Sequence, residues 1–161
     1  MPWSSSSAKK TQSSLLRYLK LTQFMININM PLLSLILNSE VLTNVIYVDQ
    51  VEKYEIIPPF ITEFFLIVKN LPMDHKMEIS RALKKLNIGY LSIVFILGMF
   101  TETGLDPILR KNIVLAHLEL IYFTCRRDQD YAQEIFSKSN SSEFLDQIML
   151  YPDYSTLPYP Y

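Results

Sequence analysis

Residues 54–125, YEIIPPFITEFFLIVKNLPMDHKMEISRALKKLNIGYLSIVFILGMFTETGLDPILRKNIVLAHLELIYFTC, run twice through one pattern. Each pass is an apolar helix, a polar corner carrying an aspartate, and a second helix. Moving Ile61, Phe65, Val68, Met77, Leu83 and Leu86 forward by 32 positions lands them on Ile93, Leu97, Phe100, Leu109, Leu115 and Leu118. The same shift carries the corner residue Asp74 onto Asp106. A helical unit of this length buries its apolar face only against a neighbour, so the recurrence predicts stacked helical hairpins. An irregular helical bundle is the alternative, because apolar residues recur every three or four positions in any set of short amphipathic helices.

Within the first pass, Ile56-Ile57-Pro58-Pro59 predicts an extended entry followed by a helix from Phe60 to Asn70, since a proline restricts the residue before it and suits a first helical turn. Asp74 is the expected N-cap of a helix from His75 to Leu86, whose apolar face is Ile79, Ala82, Leu83 and Leu86. In the second pass, Gly89 permits a tight entry into an uncharged helix running from Tyr90 to Phe100. A helix apolar on all sides is expected at the centre of a core. Gly98 in its middle suggests close approach of a neighbouring backbone, because glycine costs about 1 kcal/mol relative to alanine there. Gly104 suits a left-handed cap, and a helix from Asp106 to about Cys125 follows with Pro107 in its first turn.

Outward from this stretch, amphipathic spacing from Leu15 through Met25, a short helix over residues 32–37, and a helix capped by Ser39 through Val41, Leu42, Val45 and Ile46 extend the helical reading. Residues 45–48 are β-branched enough for a strand, and helix and strand both stand as readings there. Beyond Cys125, short helices over Tyr131–Phe136 and after Ser141 or Ser142 are expected to close the stack. The organisation expected is a Ser/Lys leader over residues 1–13, one all-helical domain over 14–150, and an extended Tyr/Pro tail over 151–161.

The halves 57–86 and 88–121 resemble armadillo or HEAT-type helical repeats. The resemblance rests on an apolar helix, then Asp74-His75-Lys76-Met77 or Asp106-Pro107-Ile108-Leu109, then a helix carrying Ala82-Leu83-Leu86 or Leu115-Ala116-Leu118. It implies a short right-handed α-solenoid with a protein-binding concave surface and no catalysis. The period is shorter than the roughly 40 residues usual for such repeats. An inner ladder of asparagines has only Asn87 and Asn112 as candidates, at unmatched positions.

The 161 residues carry fifteen Lys and Arg against sixteen Asp and Glu, for a formal charge of −1, so no global field draws the chain to nucleic acid or an anionic membrane. A single cysteine, Cys125, forms no internal disulfide, and an intracellular setting, cytoplasmic or nuclear, is expected. Residues 21–39 are uncharged but interrupted by Asn27, Asn29 and Pro31, while the uncharged run 86–101 falls short of the roughly 20 apolar residues a span needs, once the charges at Lys84 and Lys85 stop it.

Neither His75 nor His117 has a second ligand at helical spacing, so both are expected as surface or cap residues and no metal site is expected. Cys125 beside Arg126 and Arg127 has cations that favour a thiolate, yet no base or orienting group accompanies it, and a packed helix-end cysteine is the favoured reading. The three glycines are isolated, so no phosphate loop, and with it no nucleotide cofactor, is expected. The candidate protein-binding residues are a basic stripe of Lys76, Arg81, Lys84, Lys85, Arg110 and Lys111, and the tail residues Tyr151, Tyr154, Leu157 and Tyr159. The tail reads either as a ligand segment or as a strap folded back over apolar surface. The function expected is a non-enzymatic adaptor or complex subunit that binds protein partners. The alternative is a helical protein docking on a membrane or transmembrane partner through residues 21–37.

Overall fold

The computed structural model describes Arg17, Leu37, residues 40–139 and residues 141–149. The expected leader and the tail 151–161 lie outside the described residues, and the helices expected before Ser39 are described only at Arg17 and Leu37. Every regular element among the described residues is helical, so the protein is all-α. The chain divides into two compact units, Met1–Ile79 and Ser80–Tyr161, with the boundary inside one helix.

The first unit contains α1 (Val41–Ile46), a 3-10 helix (Val51–Ile56), α2 (Ile57–Lys69) and the opening of α3 (Met73–Lys85). The ambiguity at residues 45–48 resolves as a helix end. Val45 and Ile46 are buried in α1, and the Tyr47 amide closes its last turn on the Thr43 carbonyl at 3.1 Å. Burial outweighs the weak helix preference of β-branched side chains here. Glu40, rather than Ser39, occupies the N-cap position and makes no side-chain cap bond.

The expected extended entry before the prolines is not found. Val51–Ile56 winds as a 3-10 helix and Ile57, directly before Pro58, is helical at φ −60° and ψ −54°. The bias that proline imposes on its predecessor is overridden because this winding puts Tyr54 and Ile57 inside. Along α2, Ile57, Phe60, Ile61, Phe64, Phe65, Ile67 and Val68 are all buried, with Phe64 and Phe65 edge to face at 5.4 Å. At about 1.5–3 kcal/mol for each large side chain, this helix is a large source of stability among the unit's described residues. Asn70 ends it by donating its side-chain amide to the Leu66 carbonyl. Helix α3 then begins at Met73, one residue before the expected cap, so Asp74 sits in the first turn, where its charge favours the helix dipole without capping.

The second unit holds the remainder of α3 with α4 (Ile88–Thr101), α5 (Pro107–Cys125), α6 (Gln129–Lys138) and α7 (Ser141–Met149). Helix α4 lies against α5, α6 and α7. Asp106 caps α5 by accepting from the Leu109 amide at 2.9 Å, and Gly104 takes the left-handed conformation at φ +82°. Helices α4 and α5 form an antiparallel hairpin. Arg110 donates to the Glu102 carbonyl near the corner, and His117 meets Ser92 further along, so α4 recedes as α5 advances.

In α2 and α4 the 32-residue echo is matched in burial at some positions and not at others, since Phe65 and Val68 are buried whereas Leu97 and Phe100 are half-buried. Ile57 and Gly89, Phe60 and Ser92, Ile61 and Ile93, Phe64 and Ile96, and Ile67 and Met99 are buried in both copies. Thr62 and Val94, Leu66 and Gly98, and Lys69 and Thr101 are exposed in both. It fails in the second helices: Ile79 and Leu83 are buried, whereas Lys111 and Leu115 are not, and exposed Arg81 stands against buried Ile113.

Candidate interaction surface

Helix α4 is fixed in rotation by polar contacts at its start. Asn87, in the left-handed region at φ 59°, turns the chain into the helix but makes no side-chain cap bond. The missing cap comes from α6. The Tyr131 hydroxyl accepts from the Gly89 amide at 3.1 Å and from the backbone at Tyr90. Gly89 makes the approach possible, since a Cβ there would stand 2.9 Å from the Tyr131 hydroxyl oxygen and 3.0 Å from Cε1 of the ring. Tyr131 is held in turn by Asp128, which accepts from the Tyr131 amide at 2.9 Å while its other carboxylate oxygen takes the Lys84 ammonium at 2.8 Å. Close approach therefore belongs to Gly89, and what approaches is the side chains of Tyr131 and Ile135. The expectation at Gly98 is overturned, because nothing lies within 4 Å of a Cβ built there.

Midway along α4 the inward side is held by His117. This histidine is fully buried, which overturns its expectation as a surface or cap residue. Its Nδ1 lies 3.0 Å from the Ser92 hydroxyl, and its ring packs on Phe95 at 4.7 Å between centroids. One hydroxyl opposite one imidazole satisfies a buried polar group that the apolar core would otherwise penalise.

With Ile88, Gly89, Ser92, Ile96 and Met99 turned inward, the opposite side of α4 faces solvent. Val94 is 47% exposed, Gly98 and Thr101 are exposed, and Tyr90, Leu91 and Leu97 are half-buried. Their three- and four-residue spacing makes one stripe. The expectation that α4 is enclosed on all sides is thus corrected: a helix without a single charge shows water an apolar face with an open notch at Gly98. Val94 is the large apolar side chain exposed on this face, with Leu91 and Leu97 half-buried beside it.

The basic candidates are more dispersed in their roles. Arg81 and Lys85 are exposed on α3 and Lys76 is half-buried there, while Lys84 is committed to Asp128. Arg110 is tied to the Glu102 carbonyl and Lys111 is half-buried beside it in sequence. Tyr151, Tyr154, Leu157 and Tyr159 lie outside the described residues. The sequence reading missed the α4 stripe because it scored the helix by total hydropathy. Small residues of that run fall on both sides, Gly89 and Ser92 inward and Val94, Gly98 and Thr101 outward, so residue size gave no signal.

The titratable groups nearby serve the scaffold. Burial pushes the Cys125 thiol above its ordinary value, with Asp128 adding to the rise and a Thr124 hydrogen bond opposing it. The flanking arginines do not generate a thiolate. The Lys84 hydrogen bond, helped by the Tyr131 amide, holds the Asp128 carboxyl below its ordinary range. Burial raises the Tyr131 hydroxyl, against the amides of Gly89 and Tyr90.

No family model matches the chain, and neither a curated protein nor a solved structure matches it. Among the described residues no single helix is long and apolar enough to cross a membrane, and α3 with α4 meets that test only as a bent pair.

Proposed function

We propose that this protein is a non-enzymatic interaction module, an adaptor or subunit of a larger complex, and that it engages protein partners through the outward face of α4. The observation carrying this reading is an exposed apolar stripe, centred on Val94 and Gly98, on a helix of 14 residues that has no charge to keep it wetted. Stability alone gives no reason to keep such a face apolar, because a polar residue at an exposed helical position changes stability by less than about 0.5 kcal/mol. The repeated burial pattern of α2 and α4 supports reading the two helix pairs as armadillo- or HEAT-like units of a short solenoid, an architecture that presents surfaces instead of enclosing sites. The basic residues Arg81 and Lys85 and the tyrosines of the tail are secondary candidates for contact.

The test is affinity capture with the full chain and with Val94→Lys, followed by identification of bound proteins. The expected result is loss of specific partners in the variant with an unaltered circular dichroism spectrum. An identical set of partners would remove α4 from the binding surface. Recovery of the wild-type chain in a salt-washed membrane pellet would replace the adaptor reading with membrane docking.

A further inference from the structure

Three helix ends meet at one ion pair. The Lys84 ammonium, in the last turn of α3, donates to the Asp128 carboxylate at 2.8 Å. Asp128 is the N-cap of α6 and lies three residues past Cys125, where α5 ends. The contact therefore carries the end of α3, with Arg81 and Lys85 beside Lys84, to Arg126 and Arg127 at the end of α5. Residues three or four apart on a helix are neighbours, so Arg81 stands next to both lysines. The two members of the ion pair are 44 residues apart in sequence, and only the fold joins the two groups of cations into one patch.

The patch holds surplus positive charge. Five cations, Arg81, Lys84, Lys85, Arg126 and Arg127, meet two carboxylates, Asp128 and Asp130, in a chain whose formal charge is −1. Arg81, Lys85 and Arg126 are exposed, and among the described residues none of the three has an acidic partner. Each helix C-terminus carries about half a negative charge, so the ends of α3 and α5 together offset only about one of the surplus cations. Arg126 is also steadied, its guanidinium carbon lying 5.8 Å from the centre of the Tyr122 ring. Stacking of this kind leaves the N–H edge of the planar group available to a carboxylate.

A long polyanion fits this patch poorly. Asp130 and Glu134 are exposed along α6 just past the junction, and like charges repel a phosphate chain or an anionic bilayer that extends beyond the cations. A membrane surface also asks for a cluster of about 4–8 Lys and Arg. A short acidic stretch confines its charge to the cations. We propose that the junction of α3, α5 and α6 is a docking surface for a short acidic segment of a protein partner, whose carboxylates are held by Arg81, Lys85 and Arg126. Binding there does not depend on what the outward face of α4 engages.

Titration of the nitrogen-15-labelled full chain with a hexaglutamate peptide, followed by amide NMR shifts at low salt, tests it. Saturable shifts concentrated in residues 81–85 and 125–130 are expected, fading at about 1 M salt, where the screening length falls to about 3 Å. Arg81→Gln, Lys85→Gln and Arg126→Gln each weaken binding about two- to fivefold, and the three together at least about tenfold. Lys69→Gln removes the same charge from α2, in the other unit, and leaves binding unaltered. Absent shifts, shifts scattered along the chain, or an equal loss with Lys69→Gln overturn the proposal. Oligothymidylate or phosphatidylserine vesicles that move these amides as strongly as the peptide also overturn it, in favour of nucleic acid or membrane.

Discussion

Helices α2 and α4 stand 32 residues apart, turn matching positions inward, and differ in what they leave outside. At the three matched outward positions α2 carries Thr62, Leu66 and Lys69, with the half-buried Glu63 beside them. At the same positions α4 carries Val94, Gly98 and Thr101, with no charge anywhere along its length. Hydropathy reports how strongly a helix avoids water in total, and the two helices are alike in having few charges. Charge tells them apart: each outward edge shows water one large apolar side chain, Leu66 or Val94, and one threonine, and only α2 adds a charge, at Lys69. Matched positions thus face outward on both helices and carry a charge on only one of them.

The largest effects should come from the shared inward positions. Phe64→Ala in α2 and Ile96→Ala in α4 each empty a fully buried site, and costs of about 3–5 and about 2–5 kcal/mol respectively are expected in urea denaturation. The outward partners Thr62→Ala and Val94→Ala should stay within about 0.5 kcal/mol of wild type. A Val94→Ala cost rivalling that of Ile96→Ala would mean that α4 is rotated from the position described and has no free face.

The two glycines of α4 sharpen the same contrast by opposite signs. Gly89→Ala forces a methyl group against Tyr131 and displaces the hydroxyl that caps the helix, so a loss of about 1–3 kcal/mol is expected. Gly98→Ala adds a methyl group to open space in a helix interior, where alanine is favoured over glycine by up to about 1 kcal/mol. Thermal melts of the two variants should therefore move to opposite sides of wild type.

Legibility in the sequence followed the range of the forces involved. The helices themselves, Pro107 in a first turn and the Gly104 turn were readable because spacing and turn residues act within a few positions, whereas the aspartate cap expected at Asp74 is found at Asp106. The winding before Pro58 was not, since burial of Tyr54 and Ile57 decides it against a local bias. His117 looked solitary because its partner Ser92 lies 25 residues away, and Gly89 looked like a mere hinge because Tyr131 is 42 residues away. The direction in which α4 faces depends on those distant partners, which is why its apolar run read as wholly buried.

Helix starts differ as the helices do: α2 opens on prolines, whereas α4 opens on a hydroxyl borrowed from α6. Tyr131→Phe should cost about 1 kcal/mol, the size of a lost cap. It should also flatten the alkaline limb of stability. The folded-state hydroxyl is raised above its ordinary value of 10.0, so the unfolded chain releases this proton first, and the stability present below that pH is lost as pH rises. Guanidinium titrations of both proteins from pH 8 upward check this, and parallel curves would show that the hydroxyl is not coupled to folding.

The smallest effect concerns the corners. The corner after α2 is closed by local bonds, from Asn70 to the Leu66 carbonyl and from the Leu71 amide to the Val68 carbonyl, while the one before α4 is tied by the long-range pair of Lys84 and Asp128. Asp128→Asn keeps a side-chain oxygen for the Tyr131 amide, because asparagine caps as well as aspartate, and removes the charge together with the second oxygen, which accepts from Lys84. A small loss of stability is expected at neutral pH and low salt. The folded-state carboxyl is depressed below its ordinary value of 3.8, so its contribution is present above that pH and is lost as pH falls through the depressed value. The gap between wild type and variant should accordingly close in acid, and also at about 1 M salt, where screening acts within about 3 Å. A gap that persists unaltered at pH 2 would assign the loss to packing around the asparagine, and the ion pair would then hold no part of the corner.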